Sequence, residues 1–125
     1  MSNMTNWRVL IIEDDPDGQE VVSRILRYHR IEHDVAADGE TALQILEQTP
    51  YTALVIDLSL PGVDGWEVLQ FVKQSTLSHI PCIAVTAFHS AEVAVEAIRA
   101  GFAAYFPKPL DATSFVRELE NVIRG

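Results

Sequence analysis

The chain has 125 residues, which fits a single domain with one hydrophobic core. Hydrophobic residues make up 48% of it and charged residues 22%, a composition that argues against intrinsic disorder. The formal net charge of −9 disfavours nucleic acid and anionic membranes as direct partners. No apolar stretch approaches the ~20 residues that span a bilayer, no signal peptide is evident, and the lone Cys82 cannot form an internal disulfide. We therefore expect a cytoplasmic protein.

The predicted elements alternate strictly between strands and helices. In chain order they are a strand at residues 9–12, a helix capped by Asp15 and Pro16, a strand near residues 33–36, a helix from Asp38 to Pro50, a strand at residues 53–56, a helix after the turn at residues 61–65, a strand at residues 83–85, a helix capped by Ser90 at Ala91–Ala100, a strand at residues 104–106 and a helix capped by Asp111. This alternation predicts an α/β fold, doubly wound, with five parallel strands and five helices.

Four of the strand runs are rich in apolar residues and show no polar alternation. Runs of that kind are typical of strands covered by helices on both faces. The five strand–helix units fill the chain without a linker, repeat or low-complexity segment. We expect one domain over residues 1–125, of which residues 1–7 form an N-terminal extension.

Polar residues fall where these four apolar runs end: Glu13 and Asp14, Asp57, Thr86, and Lys108. Ligands of open α/β sheets bind in the crevice beyond the carboxyl ends of the strands. The sequence therefore predicts one shallow pocket that holds three carboxylates, a hydroxyl and an ammonium group. Such a set can hold a divalent cation and a phosphoryl group together.

The carboxylates indicate a magnesium site, because Mg²⁺ takes one or two protein carboxylates together with phosphate oxygens. Asp57 follows an apolar run, where a carboxylate is costly to bury without a counter-charge or a metal. Taken singly, the other residues have simpler interpretations. Asp14 or its neighbour Asp15 would serve equally well as a helix cap, Thr86 as an ordinary strand residue, and Lys108 as a solvent-facing lysine.

The ordered set of motifs resembles the response-regulator receiver domain, the phosphoacceptor module of bacterial two-component signalling. The matching segments are residues 9–15, 38–43, 57–65, 85–87 and 105–109, and the resemblance spans residues 8–124. It implies a flavodoxin-like sheet of strand order 2-1-3-4-5. It also implies a signalling phosphoacceptor, which catalyses only its own phosphorylation and dephosphorylation.

The resemblance assigns a role to each matching residue. Asp57 would accept a phosphoryl group from the phosphohistidine of a histidine kinase or a histidine phosphotransfer protein. Asp14 and Asp57 would bind Mg²⁺ directly, Glu13 would bind it through water, and the backbone carbonyl of Ser59 would complete the protein ligands.

The remaining roles implied by the family concern the phosphoryl group and the switch. Thr86 and Lys108 would contact the phosphoryl oxygens, and Thr86 would switch together with Tyr105. The Lys108–Pro109 bond is expected to be cis. Two variable positions, Ser59 and Phe88, would set the lifetime of the phosphorylated state, which we expect to be long because Phe88 cannot orient water.

The family often uses helix 4, strand 5 and helix 5 as a face for a second copy or a target protein. In the predicted fourth helix, Glu92, Glu96 and Arg99 form one narrow polar stripe with Val93 and Val95 on either side. This is more apolar surface than a helix needs when it packs against the protein on a single side. We therefore expect an interaction face here. The alternative is an alanine-rich helix that packs closely.

Several rival interpretations remain open. The sequence stops at Gly125, just after the last helix, which favours a stand-alone module over the receiver part of a larger regulator or hybrid kinase. A pseudo-receiver scaffold is disfavoured by the complete set of acids. A phosphatase would need a further acid beside the nucleophile, where Leu58 and Ser59 stand. A flavin or nucleotide site would need a glycine-rich or hydroxyl-rich first loop to hold phosphate, whereas Asp14 and Asp15 would repel phosphate in the absence of a metal.

Overall fold

A computed structural model describes residues 6–125. Its strands are β1 (Arg8–Ile12), β2 (Glu32–Ala36), β3 (Ala53–Asp57), β4 (Cys82–Thr86) and β5 (Ala104–Pro107). Its helices are α1 (Pro16–Tyr28), α2 (Gly39–Gln48), α3 (Gly65–Lys73), α4 (Ala91–Ala100) and α5 (Ala112–Arg124). Strands and helices alternate as predicted, because apolar runs and capping residues are local signals.

The five strands form one parallel sheet in the order β2-β1-β3-β4-β5, which confirms the predicted fold. Ile12 pairs with Ile56, Asp57 pairs with Val85, and Thr86 lies opposite Pro107. These registers bring the carboxyl ends of β1, β3, β4 and β5 to one edge of the sheet.

Each face of the sheet is covered by its own core. One core contains Leu46 from α2, Leu69 from α3 and Ala97 from α4, and the other contains Leu26 from α1 and Leu119 from α5. Strands β1, β3 and β4 are covered on both faces, as their apolar runs predict.

Strand β5 differs from the expectation of a strand covered on both faces. Its residues Tyr105 and Phe106 are only half-buried. The reason is position in the sheet, since β5 is an edge strand and has a neighbour on one side alone. The apolar run is the same in kind as that of a central strand, so its pattern does not distinguish the two.

The domain begins before β1. Residues 1–5 of the expected N-terminal extension lie outside the described residues, but Trp7 is buried in the core shared with α1 and α5. The Arg124 guanidinium lies 5.5 Å from the centre of the Trp7 ring, which closes this end of the core. Trp7 therefore belongs to the domain rather than to an extension.

The predicted caps are present. Asp15, Asp38, Ser90 and Asp111 each accept a hydrogen bond from a backbone N–H in the first turn of the following helix. Gly101 ends α4 at a φ of 121°, a backbone conformation that favours glycine. Within residues 6–125, no helix is both long and apolar enough to cross a membrane.

Candidate functional site

The predicted acidic residues converge at the carboxyl edge of the sheet. Glu13 and Asp14 follow β1, and Asp57 ends the neighbouring strand β3. Each of the three side chains offers one carboxylate oxygen, and these oxygens all lie within 4.8 Å of one another. Glu13 and Asp57 are buried, whereas Asp14 is exposed at the mouth of the cluster. The arrangement brings together all three acids that the sequence singled out.

Asp57 lies at the centre of the site and its carboxylate is fixed by two contacts. Its Oδ1 accepts a hydrogen bond from the backbone N–H of Ser59 at 2.9 Å. Its Oδ2 lies 3.3 Å from the Nζ atom of Lys108. The residue is only 7% exposed, so the ammonium group compensates a carboxylate that burial would otherwise penalise.

Lys108 lies between two carboxylates. Its Nζ atom is 2.5 Å from Oε1 of Glu13, in addition to the contact with Asp57. Burial alone would lower the pKa of Lys108, but the hydrogen bond to Glu13 and the charge of Asp57 outweigh it and raise that pKa. Lys108 therefore stays positively charged and supplies a fixed ammonium group to the pocket.

The pKa of Glu13 is raised, because the residue is buried and lies beside Asp57. The hydrogen bond from Lys108 lowers the pKa but does not cancel the rise. One ammonium group thus only partly offsets three clustered acids, and a divalent cation would relieve the remaining repulsion. Oxygen donors of this kind and spacing fit the preference of Mg²⁺, so the residues present fit the expected metal.

Three residues in contact with the acids were not predicted as site residues: Gln19 forms a hydrogen bond, and Gly18 and Gly65 leave room where a side chain would collide. The side-chain amide of Gln19 donates to the backbone carbonyl of Glu13 at 2.7 Å. A Cβ atom on Gly18 would lie 2.4 Å from a carboxylate oxygen of Glu13, and one on Gly65 would lie 2.3 Å from the carbonyl oxygen of Asp57. Gly65 belongs to the matching segment at residues 57–65, so its motif was the one available signal.

Thr86 ends β4 and is buried beside the site. Its hydroxyl accepts a hydrogen bond from the backbone N–H of Phe88 at 3.0 Å, and its carbonyl accepts one from the backbone N–H of Lys108 at 2.8 Å. The second bond fixes the start of the loop that carries Lys108. The expected cis peptide bond between Lys108 and Pro109 is present.

The other predicted residues lie at the rim. Tyr105 is half-buried on β5, and its hydroxyl lies 2.9 Å from Nδ1 of His89. Ser59 is exposed, and Phe88 is 72% exposed. The contact of His89 was not predicted, since nothing in its local sequence distinguishes it from a polar loop residue.

The fold and the acidic edge define a doubly wound α/β protein with its site at the carboxyl ends of the strands. The family model for the response regulator receiver domain matches residues 9–120. The chain therefore belongs to the response-regulator receiver family of two-component signalling. Receiver domains typically bind Mg²⁺ in an acidic pocket, and response regulators are partners of histidine kinases or phosphotransfer proteins.

Named relatives agree with this assignment. The chemotaxis protein CheY-3 of Vibrio cholerae is 29% identical, over 94% of this chain and 92% of that protein. The response regulator protein FleR of Pseudomonas aeruginosa is 31% identical, over 87% of this chain but only 23% of that protein. The chain thus spans nearly all of one relative and about a quarter of the other.

Solved structures agree as well. The receiver domain of the Francisella response regulator 1452 superimposes with a TM-score of 0.86 at 26% identity, covering 95% of this chain and 98% of that one. A CheY-like receiver domain protein from Methanospirillum hungatei gives a TM-score of 0.85 at 25% identity, covering 94% of each chain.

Proposed function

We propose that this domain accepts a phosphoryl group on Asp57 from a phosphohistidine of a histidine kinase or a histidine phosphotransfer protein. The observation that carries the proposal is the carboxylate of Asp57, held by Ser59 and Lys108 at the edge of the sheet within a cluster of three acids. The Asp57 carboxylate can act as the nucleophile, and the ammonium group of Lys108 can stabilise the negative charge of the phosphoryl group.

The transfer itself requires little covalent chemistry from the protein. A carboxylate oxygen of Asp57 forms a bond to phosphorus while the bond between phosphorus and the donor imidazole nitrogen breaks. The electron pair of that bond stays on the imidazole. Phosphoryl transfer depends mainly on alignment and charge stabilisation. We assign Lys108 and Thr86 to the phosphoryl oxygens, because the Nζ atom of Lys108 lies 3.3 Å from Asp57 and Thr86 ends β4, the strand next to β3.

We assign the metal ligands to the same edge. Asp14 and Asp57 would bind Mg²⁺ directly, Glu13 would bind it through water, and the Ser59 carbonyl would complete the set. Two observations support this assignment. One oxygen from each of the three carboxylates lies within 4.8 Å of the others, and Asp14 is exposed to solvent. When bound, the cation neutralises phosphoryl oxygens and orients the group for in-line transfer.

We propose that phosphorylation switches a protein-binding face through Thr86 and Tyr105. The face comprises α4, β5 and α5, and a second copy of the chain or a target protein would occupy it. On α4, Val95 is 49% exposed and Ile98 is 52% exposed. Val93, expected to flank the polar stripe, is instead half-buried against the core, because it lies on the side of α4 that faces the sheet.

The experiment is phosphorylation of the purified chain by acetyl phosphate with Mg²⁺, followed by intact mass spectrometry. Wild-type protein should gain one phosphoryl group, and Asp57→Asn should gain none. Asp15→Asn is the matched control, since it removes one negative charge near the site and keeps a residue that caps α1. Equal labelling of wild type and Asp57→Asn would refute the assignment.

A further inference from the structure

Tyr105 is held from outside the site by the segment between β4 and α4. His89 of that segment places Nδ1 2.9 Å from the Tyr105 hydroxyl, and the two ring centres are 5.6 Å apart with a tilt of 44°. The residues are 16 positions apart in sequence, so the contact ties the segment to the edge strand β5. The contact lies at the surface, where water could also form a hydrogen bond with the Tyr105 hydroxyl. Unlike water, the His89 ring fixes the direction of that hydroxyl.

The same segment also holds the hydroxyl of Thr86. Three consecutive residues of the segment each make one contact. The Phe88 backbone N–H donates to the Thr86 hydroxyl, and the His89 ring contacts Tyr105. The Ser90 hydroxyl accepts a hydrogen bond from the first turn of α4. A change at Thr86 therefore reaches Tyr105 through one intervening peptide unit. We call residues 87–90 the β4–α4 loop.

The Tyr105 hydroxyl can take either hydrogen-bond role toward His89. Burial raises the pKa of Tyr105, an effect that a backbone hydrogen bond from Ser90 opposes, so the hydroxyl is neutral at physiological pH. The protonated phenol can either donate to Nδ1 of His89 or accept from it, since the roles depend on the tautomer of the imidazole. In either role the Tyr105 hydroxyl is directed toward the β4–α4 loop.

We propose that His89 is a positioning residue that holds Tyr105 against the β4–α4 loop and thereby stabilises the resting conformation of the receiver. The inference rests on the proposed function, since it takes the switch through Thr86 and Tyr105 as given. When the Thr86 hydroxyl turns to a phosphoryl oxygen, the Phe88 N–H loses its acceptor. The loop then relaxes, and the contact between His89 and Tyr105 is lost.

The first test measures Tyr105 directly in unphosphorylated protein. Three-bond couplings from Cγ to the backbone N and C′ atoms report the χ1 rotamer population and are insensitive to the ring current of a removed imidazole. Wild type should show one dominant rotamer. His89→Ala should show a mixture, and His89→Asn should restore the single rotamer, because an Asn amide reaches the position of Nδ1.

The matched control uses the other tyrosine–histidine ring pair. Tyr28 and His29 have ring centres 5.1 Å apart on α1 and its C-cap, away from the switch residues. His29→Ala should leave the Tyr105 rotamer unchanged. If His89→Ala also leaves it unchanged, or if His89→Asn fails to restore it, the positioning role of His89 is wrong.

The second test measures the energetic coupling. Beryllofluoride with Mg²⁺, an analogue of an acyl phosphate, is titrated against the intact chain. Loss of a hydrogen bond that favours the resting state should tighten apparent binding by about two- to tenfold in His89→Ala. Tyr105→Phe should give a similar gain, and the double variant should gain nothing further. Additive gains, or unchanged affinity in His89→Ala, would overturn the inference.

The two tests separate this inference from the function on which it rests. If the wild type neither labels with acetyl phosphate nor binds beryllofluoride, the proposed function is wrong. The rotamer of Tyr105 in the unphosphorylated chain still decides whether His89 positions it. If the wild type is phosphorylated normally and His89→Ala leaves the χ1 population of Tyr105 unchanged, the receiver function stands and the inference fails.

Discussion

At the scale of single residues, adjacent carboxylates on the first loop have different tasks. Asp14 contributes an oxygen to the acidic cluster, whereas Asp15 accepts the Gly18 backbone N–H and caps α1. The chain places them side by side, but only Asp14 joins the cluster with Glu13 and Asp57. A variant of each residue therefore separates metal binding from helix capping.

Asp14→Asn should weaken Mg²⁺ binding by at least about tenfold, because it removes a direct ligand. Asp15→Asn should weaken it by less than about threefold, because it removes an equal charge but no ligand and preserves the cap. Trp66 fluorescence, with titration calorimetry as a second readout, measures both affinities. Equal losses in the two variants would contradict the assignment of Asp14.

Phe88 tests whether an apolar residue beside the site preserves the phosphorylated state. Phe88→Glu should accelerate the loss of phosphate from Asp57, because a carboxylate can orient an attacking water and a phenyl ring cannot. The ring is 72% exposed, so we expect an increase below about tenfold, which corresponds to about 1.4 kcal/mol of barrier.

The measurement is the decay of phosphorylated protein after removal of the phosphodonor. Phe88→Leu is the control, since leucine is also unable to bind water and should decay at the wild-type rate. Identical decay of wild type and Phe88→Glu would show that Phe88 has no part in phosphate lifetime.

At the scale of elements, α4 presents two valines with opposite environments. Val93 packs against the core, and Val95 is half-exposed two residues later. Val95→Asn should change the free energy of unfolding by no more than about 0.5 kcal/mol, whereas Val93→Asn should cost about 1 kcal/mol or more. Asparagine and valine have similar helix propensities, so the pair isolates the effect of burial. Urea denaturation measures both values.

Val95→Asn also tests the proposed interaction face. If a second copy occupies α4, light scattering of the beryllofluoride-bound chain should show a dimer that Val95→Asn weakens. A monomer at all concentrations would exclude the second copy and leave a target protein as the occupant. A stability loss in Val95→Asn equal to that in Val93→Asn would show that Val95 belongs to the core.

At the scale of the whole molecule, a second polar cluster joins β1, β2 and the segment that leads into β3, away from the site. The Arg8 guanidinium donates two hydrogen bonds to Asp34, and the Tyr51 hydroxyl donates a third at 2.7 Å. Burial alone would raise the pKa of Asp34, but the bonds from Tyr51 and Arg8 outweigh it and lower that pKa. Burial raises the pKa of Tyr51 to about 12.

The sign of the pH effect follows from these directions. Because the pKa of Asp34 is lower in the folded chain than in the unfolded chain, its stabilising effect is present above the unfolded pKa. It is lost as the pH falls through the folded pKa. Urea denaturation of wild type and Asp34→Asn should therefore give a difference in stability that is largest at neutral pH and shrinks in acid.

Tyr51→Phe should also lose more stability at neutral pH than in acid, because the Tyr51 hydrogen bond is one of the bonds that lower the pKa of Asp34. A difference between wild type and Asp34→Asn that stays constant with pH would show that the carboxylate charge contributes nothing to stability.

The sequence by itself determined the order of elements, the helix caps and the acids of the site. Asp57 was predictable because it directly follows an apolar run, and Asp14 and Glu13 because they follow another. Apolar periodicity and capping act over a few residues, so they are visible in the chain alone. The receiver resemblance added the strand order, which no local signal contains.

Only the tertiary structure decided which residues meet and which remain exposed. The pairing of Lys108 with Glu13 joins residues 95 positions apart, and the contact between His89 and Tyr105 depends on the path of a loop. The burial of Trp7 and the half-exposure of β5 follow from which strands lie at the edge and which helices cover them. These features depend on long-range packing, which short sequence patterns do not encode.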